Sequence, residues 1–359
     1  MKKKLMAGLL SVAMVAAMLT GCGSAAKQAA SGAASSAAPA AAATAASAEA
    51  PAATSAAAET AATEAVAAAT SAAAAKDNSN ITIGVSFQGL SDEYIVRLSD
   101  AFKARAEELG VKVQVADGQM DAATQVSQVE NFISQKVDVI VLNPISADGC
   151  APAVTAAKEA GIPIITLISI TSNQDEASTY VGSDAYESGV IQAKMVVEDL
   201  NKKGNIVVML GQMGHDAQIG RLKGLEDTIA DTDIKIIAQQ TGNWSREEGM
   251  KLMENWLASG KQIDAVVAQN DAMALGAVMA IEEAGLTGKI KVYGIDAQGE
   301  ALTDVTNGTM SGTVFQNAEK QGSECVDVAI KAANGETLDK NYYIPYEGVR
   351  AADVSKYQK

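Results

Sequence analysis

The 359-residue sequence is poor in metal-binding and redox side chains, with one histidine and three cysteines. A Cys/His cluster is therefore missing, and with it any zinc site. Cys150 and Cys325 lie in Ala-rich helical patterns with no motif spacing, and both read as small core thiols. Positive charge is also scarce. Lys and Arg number 28 against 43 Asp and Glu, a formal net charge of −15. A chain this acidic is a poor partner for a phosphate backbone, which argues against nucleic acid. Beyond the first two dozen residues no run is long and apolar enough to cross a bilayer. Catalytic signatures are missing too: the sequence has no GxSxG elbow, no P-loop and no HExxH. Gly211-Gln-Met-Gly214 lacks the third glycine of a dinucleotide fingerprint, so no cofactor is expected. Asp199-Leu-Asn-Lys-Lys-Gly204 has the spacing of a calcium loop, but Lys203 stands where a third carboxylate belongs, and no metal is expected there.

The chain begins with a basic stretch, Met1–Lys4, followed by an apolar run from Leu5 to Leu19 and then Leu19-Thr-Gly-Cys22. The run is too short to span as a helix, and the whole reads as a secretory signal closed by a lipobox. Cys22 is then the lipidated first residue of the mature protein, an anchor to the extracytoplasmic face of a membrane. From Gly23 to Lys76 the sequence is mostly Ala with Ser, Thr, Glu and Pro. It has almost no large apolar residues with which to build a core, and reads as a tether.

From about Asn80 onward, apolar runs of strand length alternate with helical patterns. Strands are expected at 81–87, 111–116, 137–142, 162–168, 179–184, 205–210, 234–240, 264–269, 291–295 and 312–315, with a last helix over 318–334. Strict β/α alternation with near-continuous apolar strands implies parallel sheets covered by helices on both faces. The pattern restarts near Gly204, and two doubly wound sheets fit it better than one. Ligands of such sheets bind at the carboxyl ends of the strands. Ala265–Gly276 is the clearest such unit: a buried strand, a polar tip, and a helix for which Asp271 is the expected N-cap. Asn270 at that tip either shapes the turn or meets a hydroxyl group.

The polar and aromatic residues at strand tips are Asp92, Tyr94, Asn143, Ser169, His215, Arg221, Trp244, Asn270, Asp296 and Gln316. Carboxylates accept hydroxyl protons, amides bridge neighbouring hydroxyls, and arginine supplies a fork of donors. Flat rings cover the C–H face of a sugar. The set suits a neutral polyhydroxylated ligand. Trp244 at a loop is expected as one wall of the site and Tyr94 as the other, whereas Trp256 reads as helix packing.

Four segments, Tyr180–Ala193, Asn270–Met279, Gly294–Leu302 and Gly312–Glu319, resemble in order the periplasmic sugar-binding protein family that includes the ribose- and galactose/glucose-binding proteins. The resemblance implies two type I lobes joined by a hinge with crossings near Ser183–Asp184, Gln316–Asn317 and the C-terminal segment. The expected division is 1–21 signal, 22–79 tether, 80–183 with 318–345 as the N-terminal lobe, and 184–317 with 346–359 as the C-terminal lobe. It also implies an ABC permease and ATPase as partners, a monomeric binding protein, and ligand contacts at Asp92, Tyr94, Asn143, His215, Arg221, Trp244, Asn270, Asp296 and Gln316. His215 and Trp244 follow the galactose/glucose branch, but Ala217 stands where that branch has a carboxylate. Ile168 and Ser169 replace the Asp-Arg pair of the ribose branch. Hexose, pentose and inositol all remain open as ligands. A sugar-sensing subunit presenting its ligand to a membrane receptor is the alternative role, and a sugar-modifying enzyme the least expected.

Overall fold

The computed structural model describes residues 78–358. The signal, the Cys22 anchor and most of the tether lie outside the described residues. The first half of the described chain alternates as expected: β1 (Thr82–Phe87), α1 (Glu93–Glu108), β2 (Lys112–Asp117), α2 (Ala122–Gln135), β3 (Val139–Leu142), α3 (Ala151–Glu159), β4 (Ile164–Leu167) and β5 (Thr179–Gly182). The second half continues with α4 (Ala185–Asp199), β6 (Lys203–Leu210), α5 (Asp216–Ile229), β7 (Asp233–Thr241), α6 (Arg246–Ala258), β8 (Ala265–Ala268), α7 (Asp271–Glu283), β9 (Lys291–Tyr293), α8 (Gly299–Asn307) and β10 (Thr313–Phe315). The chain closes with α9 (Ala318–Ala333), β11 (Asn341–Tyr343) and β12 (Glu347–Val349).

The strands form two parallel sheets. One has the order β11-β5-β4-β3-β1-β2, the other β7-β6-β8-β9. Parallel bridges Tyr293–Gly312 and Asp296–Phe315 carry β10 alongside the second sheet, and β10 pairs antiparallel with β12. Central strands are buried end to end, as in β3, β4 and β8. That is the expected consequence of covering both faces with helices. Separate hydrophobic clusters fill the two faces of each sheet. Cys150 and Cys325 are free and buried within them.

Two expectations change. Asp271 is not the cap of α7: the Asn270 side chain accepts from Met273 N–H at 3.0 Å and is the N-cap. Asp271 instead turns inward, accepting from Thr313 Oγ1 at 2.7 Å and Gln298 N–H at 2.9 Å. It thereby ties α7 to β10 and to the start of α8. The helical pattern after the third strand, which in the sequence runs from about Asp148 to Ala160, becomes a helix only at Ala151, with Pro152 in its first turn, where a missing N–H costs nothing.

The chain crosses between the lobes after β5, after β10 and after β11, and one hydrogen-bonded knot gathers the three crossings. Ser183 Oγ donates to Ile344 O, and Gln321 Nε2 donates to Ser183 Oγ at 2.7 Å. Tyr180 Oη donates to Ser183 O at 2.7 Å. The Asp199 loop holds its carboxylate in a fork of Arg350, 2.7 Å from Nη1, and accepts from Tyr293 Oη at 2.6 Å. Both carboxylate oxygens thus serve the second lobe's own packing.

Candidate functional site

Parallel strands deliver their loops to one edge, and here the edges of the two sheets face each other. Eight of the nine sequence-derived candidates line one cavity between them: Asp92, Tyr94, His215, Arg221, Trp244, Asn270, Asp296 and Gln316. Asn143 does not reach the cavity. It is fully buried at the end of β3, where its side chain accepts from Gln88 N–H at 3.2 Å and donates to Leu167 O at 3.3 Å. Its effect is to hold Gln88, which does line the cavity. Gln88, Ile95, Ile168, Ser169 and Ala217 complete the lining. Ser169 is the tenth of the strand-tip residues singled out in the sequence; Gln88 carries no sequence signal beyond standing at a strand end, where turn residues of the same type are common.

Helix caps aim several of these groups. Asp92 caps α1 through Ile95 N–H at 3.1 Å, His215 caps α5, and Asn270 caps α7. Asn270 also donates from Nδ2 to Trp244 O at 3.1 Å, fixing the loop that presents the indole. Left-handed backbone at Asn243 (φ 50°) and Trp244 (φ 63°) turns that ring inward. Asp296 (φ 129°) and Ala297 (φ 52°) make a comparable turn after β9. Non-glycine residues held this way are strained, and such strain concentrates at functional sites.

Arg221 is the central cation. Nη1 donates to Gln269 O, Nη2 to Gln316 Oε1 at 2.9 Å, and Tyr346 Oη lies 3.5 Å away. Its guanidinium sits 5.7 Å from the Trp244 ring centre, within cation–π range. The imidazole of His215 meets the same indole edge-on at 5.3 Å. Two buried donors, Arg221 Nε and Trp244 Nε1, have no protein partner.

His215 has a defined tautomer. Its Nδ1 accepts from Ala217 N–H at 3.0 Å, so the proton of the neutral ring is on Nε2. Nε2 then donates across the cleft to Gln88 Oε1 at 2.9 Å, with Ser169 Oγ at 3.3 Å. Burial, with help from the charge of Arg221, pushes its pKa down to about 3, so the ring is neutral at pH 7. Among the acids, burial raises Asp296 well above the usual carboxylate range. Arg221 opposes that shift, while Asp271 and Asp92 add to it. Burial raises Asp92 as well, and pushes Asp271 up to about 6. Tyr94 presents its ring to the cavity and gives its hydroxyl to Gln321 Oε1, so a cavity wall is bonded to the interlobe knot.

A larger groove of about 590 Å³ lies on the knot side, but there Arg97 is already forked onto Glu319 at 2.9 and 3.2 Å. No cluster of three or more His, Cys, Asp or Glu arranged for a metal occurs among the described residues.

Residues 83–337 match the periplasmic binding protein domain. A putative rhizopine-binding protein from Rhizobium meliloti is 36% identical over 286 residues, covering 77% of this chain and 92% of that protein. A ribose import binding protein from Bacillus subtilis is 32% identical, with 75% and 87% covered. Among solved structures, an ABC transporter solute-binding protein from Bacillus halodurans with bound myo-inositol has a TM-score of 0.76 at 42% identity, with 79% and 98% covered. The chain therefore belongs to the periplasmic binding protein domain family, as a two-lobed α/β solute-binding protein and not an enzyme.

Proposed function

We propose that this protein captures a monosaccharide or cyclic polyol between its two lobes and delivers it to an ABC permease with its ATPase, as an extracytoplasmic monomer anchored through Cys22. The observation that carries the reading is the make-up of the cavity in which the strand-tip residues of both lobes meet: two carboxylates, three amides, a guanidinium and a neutral imidazole, walled by an indole. Carboxylates accept from ligand hydroxyls, and Arg221 donates to them. The indole covers a C–H face. The unpartnered donors Arg221 Nε and Trp244 Nε1 are suited to ligand oxygens. Rhizopine, ribose and myo-inositol, named for the similar proteins, support a polyhydroxylated ligand.

The side chains leave only about 40 Å³ between them, room for a few water molecules. A ring polyol enters if the lobes part and is then enclosed, the hinge closure for which periplasmic binding proteins are a standard example. In this reading 80–183 with 318–345 moves against 184–317 with 346–359, and the Ser183 knot is the pivot. The test is a thermal-shift panel of hexoses, pentoses and cyclitols on the full chain. A ligand of the native state raises its apparent stability by about 2.7 kcal/mol at a hundredfold excess over Kd. A panel with no shift anywhere refutes the class.

A further inference from the structure

Among the described residues, four pairs of consecutive non-glycine residues have positive φ, and three of the pairs stand at the cleft. Asn243–Trp244 and Asp296–Ala297 belong to the site. The third, Gln119 (φ 52°) and Met120 (φ 58°), contributes nothing to the site's lining. Its place is the counterpart of the Trp244 loop in the other lobe. β2 and β7 are each an edge strand, each leads to its lobe's next helix, and each loop ends at an N-cap, Asp121 and Ser245. The two turns are tied alike. Asp117 Oδ1 accepts from Gln119 N–H at 3.0 Å, and Thr241 Oγ1 accepts from Asn243 N–H at 3.2 Å. Met120 N–H is also held by Gln88 O at 2.7 Å, and Gln88 lines the ligand cavity.

The Met120 side chain crosses from its own lobe to the other. It packs against the cluster of α2 and α3 in the first lobe and against the second-lobe cluster that contains Trp244. Its sulfur lies over Gly89, where an added Cβ would sit 2.8 Å away. An outer cavity of about 360 Å³ is lined by Met120 together with Asp92 and Trp244, the two residues it shares with the site. Met120 thus stands on the solvent side of Asp92 and Trp244. A flexible, polarisable thioether suits a surface that must meet the other lobe and part from it again.

We propose that Met120 is a retaining residue of the site: carried on a strained turn of the first lobe, it closes onto the Trp244 side of the second and sets how fast bound ligand leaves. The proposal rests on the cleft being the ligand site. Closure forms this contact after the ligand is already in place, so its loss falls on dissociation rather than on association.

The experiment is stopped-flow fluorescence on the full chain, with myo-inositol, ribose, galactose and glucose as probes, for wild type, Met120→Ala and Met120→Leu. In Met120→Ala the dissociation rate constant rises roughly three- to tenfold, the scale of one lost apolar side-chain contact across the cleft. The association rate constant stays within about twofold of wild type, and Met120→Leu, which conserves volume, recovers most of the wild-type dissociation rate. An unchanged dissociation rate in Met120→Ala, or a loss carried by association alone, overturns the proposal and leaves the cleft as the ligand site. No binding of any probe to wild type overturns both.

Discussion

Gly211→Ala tests the Trp244 wall without substituting any residue assigned to the ligand. Gly211 follows β6, and a Cβ there would lie 1.9 Å from the Cη2 atom of Trp244, 2.0 Å from Cζ2 and 2.3 Å from Cζ3. Relieving the shortest of these to an ordinary contact of 3.4 Å moves one partner by about 1.5 Å. The indole is the part that yields. Gly211 is pinned by its N–H on Gln269 Oε1 at 2.8 Å and its carbonyl on Thr241 Oγ1 at 2.7 Å, whereas Trp244 Nε1 has no partner. Gly211 is not among the residues at positive φ, so alanine adds no backbone strain. A gap of 0.5–1 Å already forfeits a quarter to a half of a dispersion contact, so a shift of this size removes most of the wall. The expected loss is about 1–2 kcal/mol of binding, or roughly a five- to thirtyfold rise in Kd. Overpacking also lowers stability by about 1–3 kcal/mol. Calorimetric titration, with circular dichroism as the check on folding, reads both. Wild-type affinity in a folded Gly211→Ala protein refutes Trp244 as the wall.

Three further outcomes follow from the site. Arg221→Lys keeps the charge but not the fork that reaches Gln269 O and Gln316 Oε1 together. It weakens binding by about 1.5–3 kcal/mol by titration. His215 is held neutral with its pKa near 3 against an ordinary 6.5, so the unfolded chain takes up a proton that the folded chain refuses. Wild-type stability therefore falls relative to His215→Asn by about 1.4 kcal/mol per pH unit as pH drops below 6.5 toward 3. The difference between the two proteins is the quantity to measure by urea unfolding. Asp271, raised to about 6, works in the opposite direction: its contribution is complete below the ordinary carboxylate pKa and lost as pH rises through 6. Gln321→Leu leaves Tyr94 Oη without its acceptor and Ser183 Oγ without the donor it accepts from. It costs about 1–3 kcal/mol of stability and gives a larger radius of gyration at saturating ligand by small-angle scattering.

The β/α alternation was legible because buried parallel strands read as continuous apolar runs, and each strand expected from Ile81 to Phe315 is present within a few residues. β11 and β12 were not. Asn-Tyr-Tyr and Glu-Gly-Val carry no apolar run, and each is a strand only because β5 and β10 offer it an edge. Eight candidates meet at one cavity because strand tips of parallel sheets must converge, so a polar residue just past an apolar run is informative. The finer assignments depend on side-chain direction, which spacing does not encode. Asn270 and Asp271 are both good caps by type, and only the close approach of Thr313 and Gln298 gives Asp271 to the interior. Asn143 stands at a strand tip like the others, yet its amide is consumed by Gln88 and Leu167. Met120 was invisible because a methionine in a loop has no pattern to belong to; the left-handed turn that lifts it across the cleft emerges only in three dimensions.

The sequence contains two tryptophans. Trp244 lines the cavity, whereas Trp256 packs on α6 against the second-lobe core. The Trp256→Phe protein therefore carries its only indole in the proposed site. Its emission, titrated with the monosaccharide or cyclitol that gives the largest thermal shift, measures ligand arrival at that wall. The account predicts a saturable change whose midpoint equals the calorimetric Kd. Binding by calorimetry with no change in that emission would place the ligand elsewhere and contradict it.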